Sequence, residues 1–244
     1  MAGNWKMYKT PAETRAFFEA FRPLVAKVED REIVICPPFT NLEAAVGAAQ
    51  GTRIRIGAQN VSWAKEGAFT GEISPGMIVA AGCTHVIIGH SERRQYFGET
   101  DETVLKRTQA ALEAGLTPIV CVGERLEQRE AGETEAVLRA QFKGGLAGLT
   151  PEQFAKVIIA YEPVWAIGTG KTATPEIAEE AHRAIRQEVR SHFGAQAADA
   201  VRILYGGSVK PDNTKALMSK EEIDGVLVGG ASLTPDSFAA IVNY

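Results

Sequence analysis

The 244-residue chain is 45% hydrophobic and 23% charged, an ordinary globular balance that makes disorder and membrane spanning poor readings. Its net charge of −4 argues against a general nucleic-acid surface, although glycine loops and helix N-termini can still bind a small anion on an acidic protein. Cys36, Cys83 and Cys121 lie in or near apolar segments without C-x-x-C spacing, so they read as structural thiols of a reducing compartment. With no basic and apolar leader at the N-terminus, a cytoplasmic location is expected.

Apolar runs at 2–7, 32–36, 55–58, 85–89, 117–122, 157–161, 202–205 and 225–228 read as strands. Most are too short and too uniformly apolar to have a wet face, which suits parallel strands covered by helices. Helix-period segments separate them, and neither a linker nor a composition break divides the chain, so one domain over residues 1–244 is expected. Helix starts carry a recurring hydroxyl-proline pair at Thr10-Pro11, Ser74-Pro75, Thr150-Pro151, Thr174-Pro175 and Thr234-Pro235. Glu13 completes a capping box at Thr10, and Gln153 does so at Thr150. Long helices are expected over 11–28 and 175–192, the second with Ile177, Ala181, Ile185 and Val189 on one face, and Gly115 reads as a helix C-cap. Residues 59–72 form a long loop, which in a compact domain means function or disorder.

Eight strands, each followed by helical material, predict a closed parallel (β/α)8 barrel. A doubly wound open sheet would normally carry a G-x-G-x-x-G turn after the first strand, and the first turn here has none.

In such a barrel the catalytic groups stand where strands end. Those positions hold Asn4 and Lys6, His90, Cys121, Glu162, Gly206-Gly207-Ser208 and Gly229-Gly230. The two glycine pairs follow the seventh and eighth strands, where bare backbone N–H groups bind phosphate in many barrels; tight turns use glycine equally well. His85, His90, His182 and His192 lack metal-ligand spacing, so no metal is expected and ordinary side chains must carry the chemistry. Glu162, between Tyr161 and Pro163, reads as a general base whose pKa burial would raise, or as a structural carboxylate paired with a cation. His90 reads as a neutral electrophile before a helical turn capped by Ser91, or as a core histidine. Lys6 is a cation between Trp5 and Met7 that needs an anion, either a substrate phosphate or an enolate; the alternative is a Schiff-base lysine of a barrel aldolase. Asn4 can donate to the same oxygen. The tip after Glu162, from Val164 to Thr169, reads as a lid with hinges at 163–165 and 171–173.

Asn4-Trp5-Lys6-Met7, the run from Gly89-His90-Ser91-Glu92 to Arg93-Arg94, the run from Ala160 to Lys171, and Tyr205-Gly206-Gly207-Ser208 together resemble the triosephosphate isomerase family. The match follows the whole chain in order. It implies a single-domain (β/α)8 TIM barrel that interconverts dihydroxyacetone phosphate and D-glyceraldehyde 3-phosphate without cofactor. The Glu and neutral-His pairing of that family is a standard case of pKa tuning. By resemblance, Glu162 is the base and His90 the electrophile, with Lys6 and Asn4 stabilising the enediolate and Glu92 supporting them. Gly168, Ser208, Gly229 and Gly230 would hold the phosphate through backbone N–H groups, and Cys121 would pack beside the base. A closing lid, as in that family, would keep water from an enediolate prone to lose phosphate. The resemblance also implies a homodimer in which loop 59–72 docks into a partner, Thr70 lying near the partner's Asn4 and Lys6. Relatives carry several more residues before Ala2, so strand one is expected to be short and its pairing with strands two and eight weakened. Tyr8 replaces a common Asn of the family, with little effect expected on chemistry.

Overall fold

A computed structural model describes residues 1–168 and 172–244. Among these, eight strands close into one parallel barrel in sequential order. They are β1 (Ala2–Asn4), β2 (Ile33–Cys36), β3 (Ile54–Ala58), β4 (His85–Ile88), β5 (Thr117–Val122), β6 (Ile158–Tyr161), β7 (Arg202–Tyr205) and β8 (Gly225–Val228). Seven of the expected strands agree to within one residue at either end. The exception is β1, which stops at Asn4 instead of running to residue 7, because the backbone turns left-handed at Lys6.

The expected weakening of β1 does not occur. Ala2, Gly3 and Asn4 pair with Val34, Ile35 and Cys36 of β2, and Ala2 and Gly3 pair with Leu227 and Val228 of β8. The second pairing is as long as those of β3 with β4 and β7 with β8. Closure is reinforced outside the barrel, where Phe21 of helix Pro11–Val25 stacks on Phe238 of helix Pro235–Val242 at 5.3 Å.

Strand side chains alternate between two apolar layers, as the pleat requires. Ala2, Cys36, Cys121, Ala160, Leu204 and Leu227 fill the barrel interior. Trp5, Ile35, Val120, Ile159, Tyr161 and Tyr205 face the helices. The three cysteines are free and buried. Among the described residues no helix is long and apolar enough to cross a membrane.

Helix ends largely follow the sequence signals. Thr10 and Glu13 form the full capping box, as do Thr150 and Gln153, while Ser74 and Thr174 accept from the third helical N–H. The long helices span Pro11–Val25 and Pro175–Phe193. Gly115, at φ +81°, follows helix Asp101–Glu113 and donates to Leu112 O. Thr234 departs from the pattern, since its side chain makes no cap hydrogen bond and only Pro235 marks that helix start.

This contrast is measurable. Thr10→Ala should lower unfolding stability by about 1 kcal/mol in a urea titration, whereas Thr234→Ala should change it by less than about 0.5 kcal/mol. Equal losses would contradict the cap assignment.

Candidate active site

On four strands the inward series continues past the last ladder pair and delivers candidate site residues. On β6 the interior residues Ile158 and Ala160 are followed two positions on by Glu162, whose N–H still donates to Val122 O at 2.8 Å. On β1, Ala2 leads to Asn4 and then Lys6; on β7, Leu204 leads to Gly206; on β8, Leu227 leads to Gly229. His90 is out of step with this series on β4, where Ile87 faces inward. Gly89 makes the correction with φ +69°, and a Cβ there would stand 2.7 Å from Val104 Cγ2.

Asn4, Lys6, His90, Glu162, Gly168, Ser208, Gly229 and Gly230 line one cavity of about 280 Å³ at the C-terminal mouth of the barrel. Of the residues expected to act on or bind substrate, Glu92 alone is not among those lining it. That residue stands at the rim and reaches the site through Lys6, whose Nζ donates to Glu92 Oε1 at 2.5 Å. Thr70 lies on the exposed part of loop 59–72, and Cys121 lines a neighbouring cleft together with Glu162. Burial pushes the Cys121 thiol well up, with the Glu162 carboxylate adding to it, so Cys121 is a neutral packing group.

Glu162 is 2% exposed and both of its oxygens are engaged. Oε1 is 2.7 Å from His90 Nε2, and Oε2 accepts the Ser91 N–H at 2.9 Å. Burial raises its pKa and is the largest influence, but His90, the Ser91 N–H and the Lys6 ammonium together outweigh it and leave the carboxyl below its usual value. The sequence expectation of a raised base therefore fails for this arrangement, in which the carboxylate is docked on its partners.

His90 caps helix Ser91–Phe97, in place of the expected Ser91, its Nδ1 accepting the Glu92 N–H at 3.2 Å. A nitrogen that accepts cannot also carry a proton, so the remaining ring proton sits on Nε2 and donates to Glu162. Burial pushes the imidazole pKa down, and the adjoining Glu162 carboxylate pulls it up past that effect. Apart from Glu162, burial is the largest influence and favours the neutral ring, with the Lys6 ammonium and the helix amide on the same side and the Glu92 carboxylate opposing them.

Lys6 has φ +51°, a left-handed conformation that costs a residue with a Cβ about 1–2 kcal/mol. The turn points its side chain inward, with Cε 3.5 Å from where a Cβ of Gly229 would stand. Bare backbone at Gly229 and Gly230 thus leaves room between the lysine and the β8 loop. The β7 loop is pinned by Gly206 N–H to Tyr161 O at 2.7 Å and by Asn213 Nδ2 to Ser208 O at 3.0 Å. Lys210 also lines the cavity; its place before helix Pro211–Met218 was a readable signal.

Three features were not foreseen. Glu124, fully buried, accepts Tyr161 Oη at 3.0 Å and Trp165 Nε1 at 2.9 Å, and its carbonyl accepts the Val164 N–H, so the start of the expected lid is seated on it. Gly123 passes so close to the Glu162 backbone that a Cβ would fall 1.7 Å from Glu162 O. Arg107 ties loop 59–72 from inside, donating to Asn60 Oδ1, Val61 O and Glu72 Oε2 and lying over Trp63. Of the expected lid, Val164 to Gly168 are described, whereas Thr169 and the hinge residue Lys171 lie outside the described residues. Among the described residues no group of three or more His, Cys, Asp or Glu is placed to hold a metal ion.

A closed parallel barrel with a buried carboxylate–imidazole pair beside a glycine-lined pocket defines a barrel enzyme equipped for proton transfer. The triosephosphate isomerase family model matches residues 1–244, and the chain belongs to that family. It is 77% identical to the triosephosphate isomerase of Solibacter usitatus (strain Ellin6076), over all of this chain and 98% of that protein. It is 62% identical to that of Citrifermentans bemidjiense, over all of this chain and 97% of that one. The crystal structure of triosephosphate isomerase from Bartonella henselae superposes with a TM-score of 0.90 at 41% identity, covering all of this chain and 97% of the other.

Gly123→Ala should force Glu162 away from His90. A fall in kcat/KM of at least about a hundredfold is expected in a soluble, folded variant, and wild-type activity would refute the close approach.

Proposed function

We propose that the chain interconverts dihydroxyacetone phosphate and D-glyceraldehyde 3-phosphate by moving one proton between adjacent carbons. The observation that carries this is the Glu162–His90 contact at 2.7 Å on the wall of a 280 Å³ cavity whose other side is glycine loop. The phosphate takes the backbone of Gly168, Ser208, Gly229 and Gly230. Lys6 and Asn4 face the oxygen that becomes negative.

Substrate entering the cavity displaces Glu162 from His90 and Ser91. The removal of those partners leaves burial as the dominant influence on the carboxylate, which raises its basicity at the moment it meets the substrate carbon. Glu162 then takes the proton from C1 of the ketose while His90 Nε2–H donates to the carbonyl oxygen. The enediolate charge lies against Lys6 and Asn4. Return of the proton to C2, with His90 exchanging a proton between the two oxygens, completes the aldose and restores both residues. A Schiff base would need Lys6 as a free amine, whereas its Nζ is ion-paired with Glu92.

The assay is isomerase turnover of wild type and Glu162→Gln, with solvent-deuterium incorporation into the product. A loss of roughly a thousandfold is expected, and equal rates would refute the base.

The working unit we propose is a cytoplasmic homodimer, one domain per chain. Met7, beside Lys6, is 92% exposed, and Tyr8, Trp63, Phe69, Tyr96 and Phe97 are also exposed, more apolar surface than an isolated subunit needs. Loop 59–72 would cover this rim on a partner, with Thr70 near the partner's Asn4 and Lys6. Sedimentation should give a dimer, and Phe69→Glu should shift it toward monomer with lower kcat/KM; a fully active wild-type monomer would sink the proposal.

A further inference from the structure

Lys6 is held in its left-handed turn by a residue outside the cavity. Gln59 Nε2 donates to Lys6 O at 2.9 Å and to Cys36 O at 2.8 Å. Both amide hydrogens are therefore spent on carbonyls at the ends of β1 and β2, while Gln59 itself directly follows β3. From the other side the Lys6 N–H donates to Asn4 Oδ1 at 3.0 Å. The lysine backbone is gripped at its N–H by one side chain and at its C=O by another. Strained backbone persists only where neighbours over-determine it, and these are the groups that do so.

We infer that Gln59 is a positioning residue for Lys6: its side-chain amide holds the backbone turn that aims the Lys6 ammonium across the cavity toward Glu92 and the Gly229 loop. Relaxation to a negative φ would swing the Lys6 carbonyl off Gln59 and redirect the Cα–Cβ bond, so Nζ would leave the place where substrate charge develops. This inference rests on the reading of Lys6 as the substrate-facing cation. It also gives loop 59–72 a direct mechanical connection to the site, because Gln59 is the first residue of that loop and Arg107 anchors the loop at Asn60, Val61 and Glu72. A shift of the loop base reaches Lys6 through a single side chain.

Gln59→Met preserves length and approximate volume and removes both donors. A fall in kcat/KM of at least about tenfold is expected, with weaker competitive inhibition by inorganic phosphate and an unchanged circular dichroism spectrum. In a Lys6→Ala background the same substitution should change kcat/KM by less than about twofold, since the group it positions is gone. A crystal structure of the Met variant should show Lys6 out of the left-handed region. If that variant does not accumulate folded, Gln59→Asn, with the amide withdrawn by one methylene, takes the same measurements. Wild-type kcat/KM, an equal loss with and without the Lys6 side chain, or an unmoved Lys6 φ would each overturn the inference. Lys6→Ala alone separates the two levels. Near-normal activity there would remove the proposed role of Lys6, and Lys6 φ in the Gln59 variant would still decide whether the clamp exists.

Discussion

Closure of the parallel sheet is the constraint on which the rest depends. Once β8 pairs with β1, every strand has two neighbours, and alternate residues have no choice but to enter one enclosed column. That column is apolar as far as Cys121, Ala160 and Leu227, and its next inward positions are Glu162 and Gly229. Chemistry is thus placed by the same register that packs the core. The change from filler to reagent takes one step of the pleat.

Concentrating charge at the end of an apolar column is electrostatically costly, and the resting structure offsets the cost by pairing. Glu162 is docked on His90 and the Ser91 amide, while Lys6 is docked on Glu92, so each ionised group has a partner within 2.9 Å. Those same partners hold Glu162 below its ordinary pKa. Stability and basicity therefore conflict at this residue. On the proposed mechanism a substrate that takes the place of those partners resolves the conflict, because the buried carboxylate gives up their stabilisation only while the cavity is occupied.

Much of this was legible in the chain. Short apolar runs gave strand positions because buried parallel strands tolerate few polar residues, and hydroxyl-proline pairs marked helix starts through local geometry alone. Glu162, His90 and the glycine pairs were legible because they stand at strand ends. What could not be read was long-range or conformational. Nothing in Asn4-Trp5-Lys6 alone announces a left-handed lysine, since the grip of Asn4 on its N–H is matched at its carbonyl by Gln59, far off in sequence and itself held by the Cys36 carbonyl. Glu124 looked like one more acidic residue until Tyr161 and Trp165 were seen to converge on it. The lowered pKa of Glu162 likewise depends on where its carboxylate rests, which composition does not encode.

The unforeseen residues share a location and hence a logic. Gln59, Glu124 and Gly123 sit in the loops after β3 and β5, one or two positions beyond the last strand residues, and none contributes a side chain to the cavity wall. They act on the backbone or seat of a neighbour: Gln59 on the Lys6 carbonyl, Glu124 on the turn Val164–Ala166, Gly123 by allowing Glu162 to approach. Adjacent strand ends lie about 5 Å apart by sheet spacing, too coarse a grid to align a proton transfer. The barrel supplies that grid. Fine alignment within it comes from these loop residues, which is why the region between the strand ends and the substrate carries the positive-φ lysine, the closest backbone approach and the buried carboxylate together.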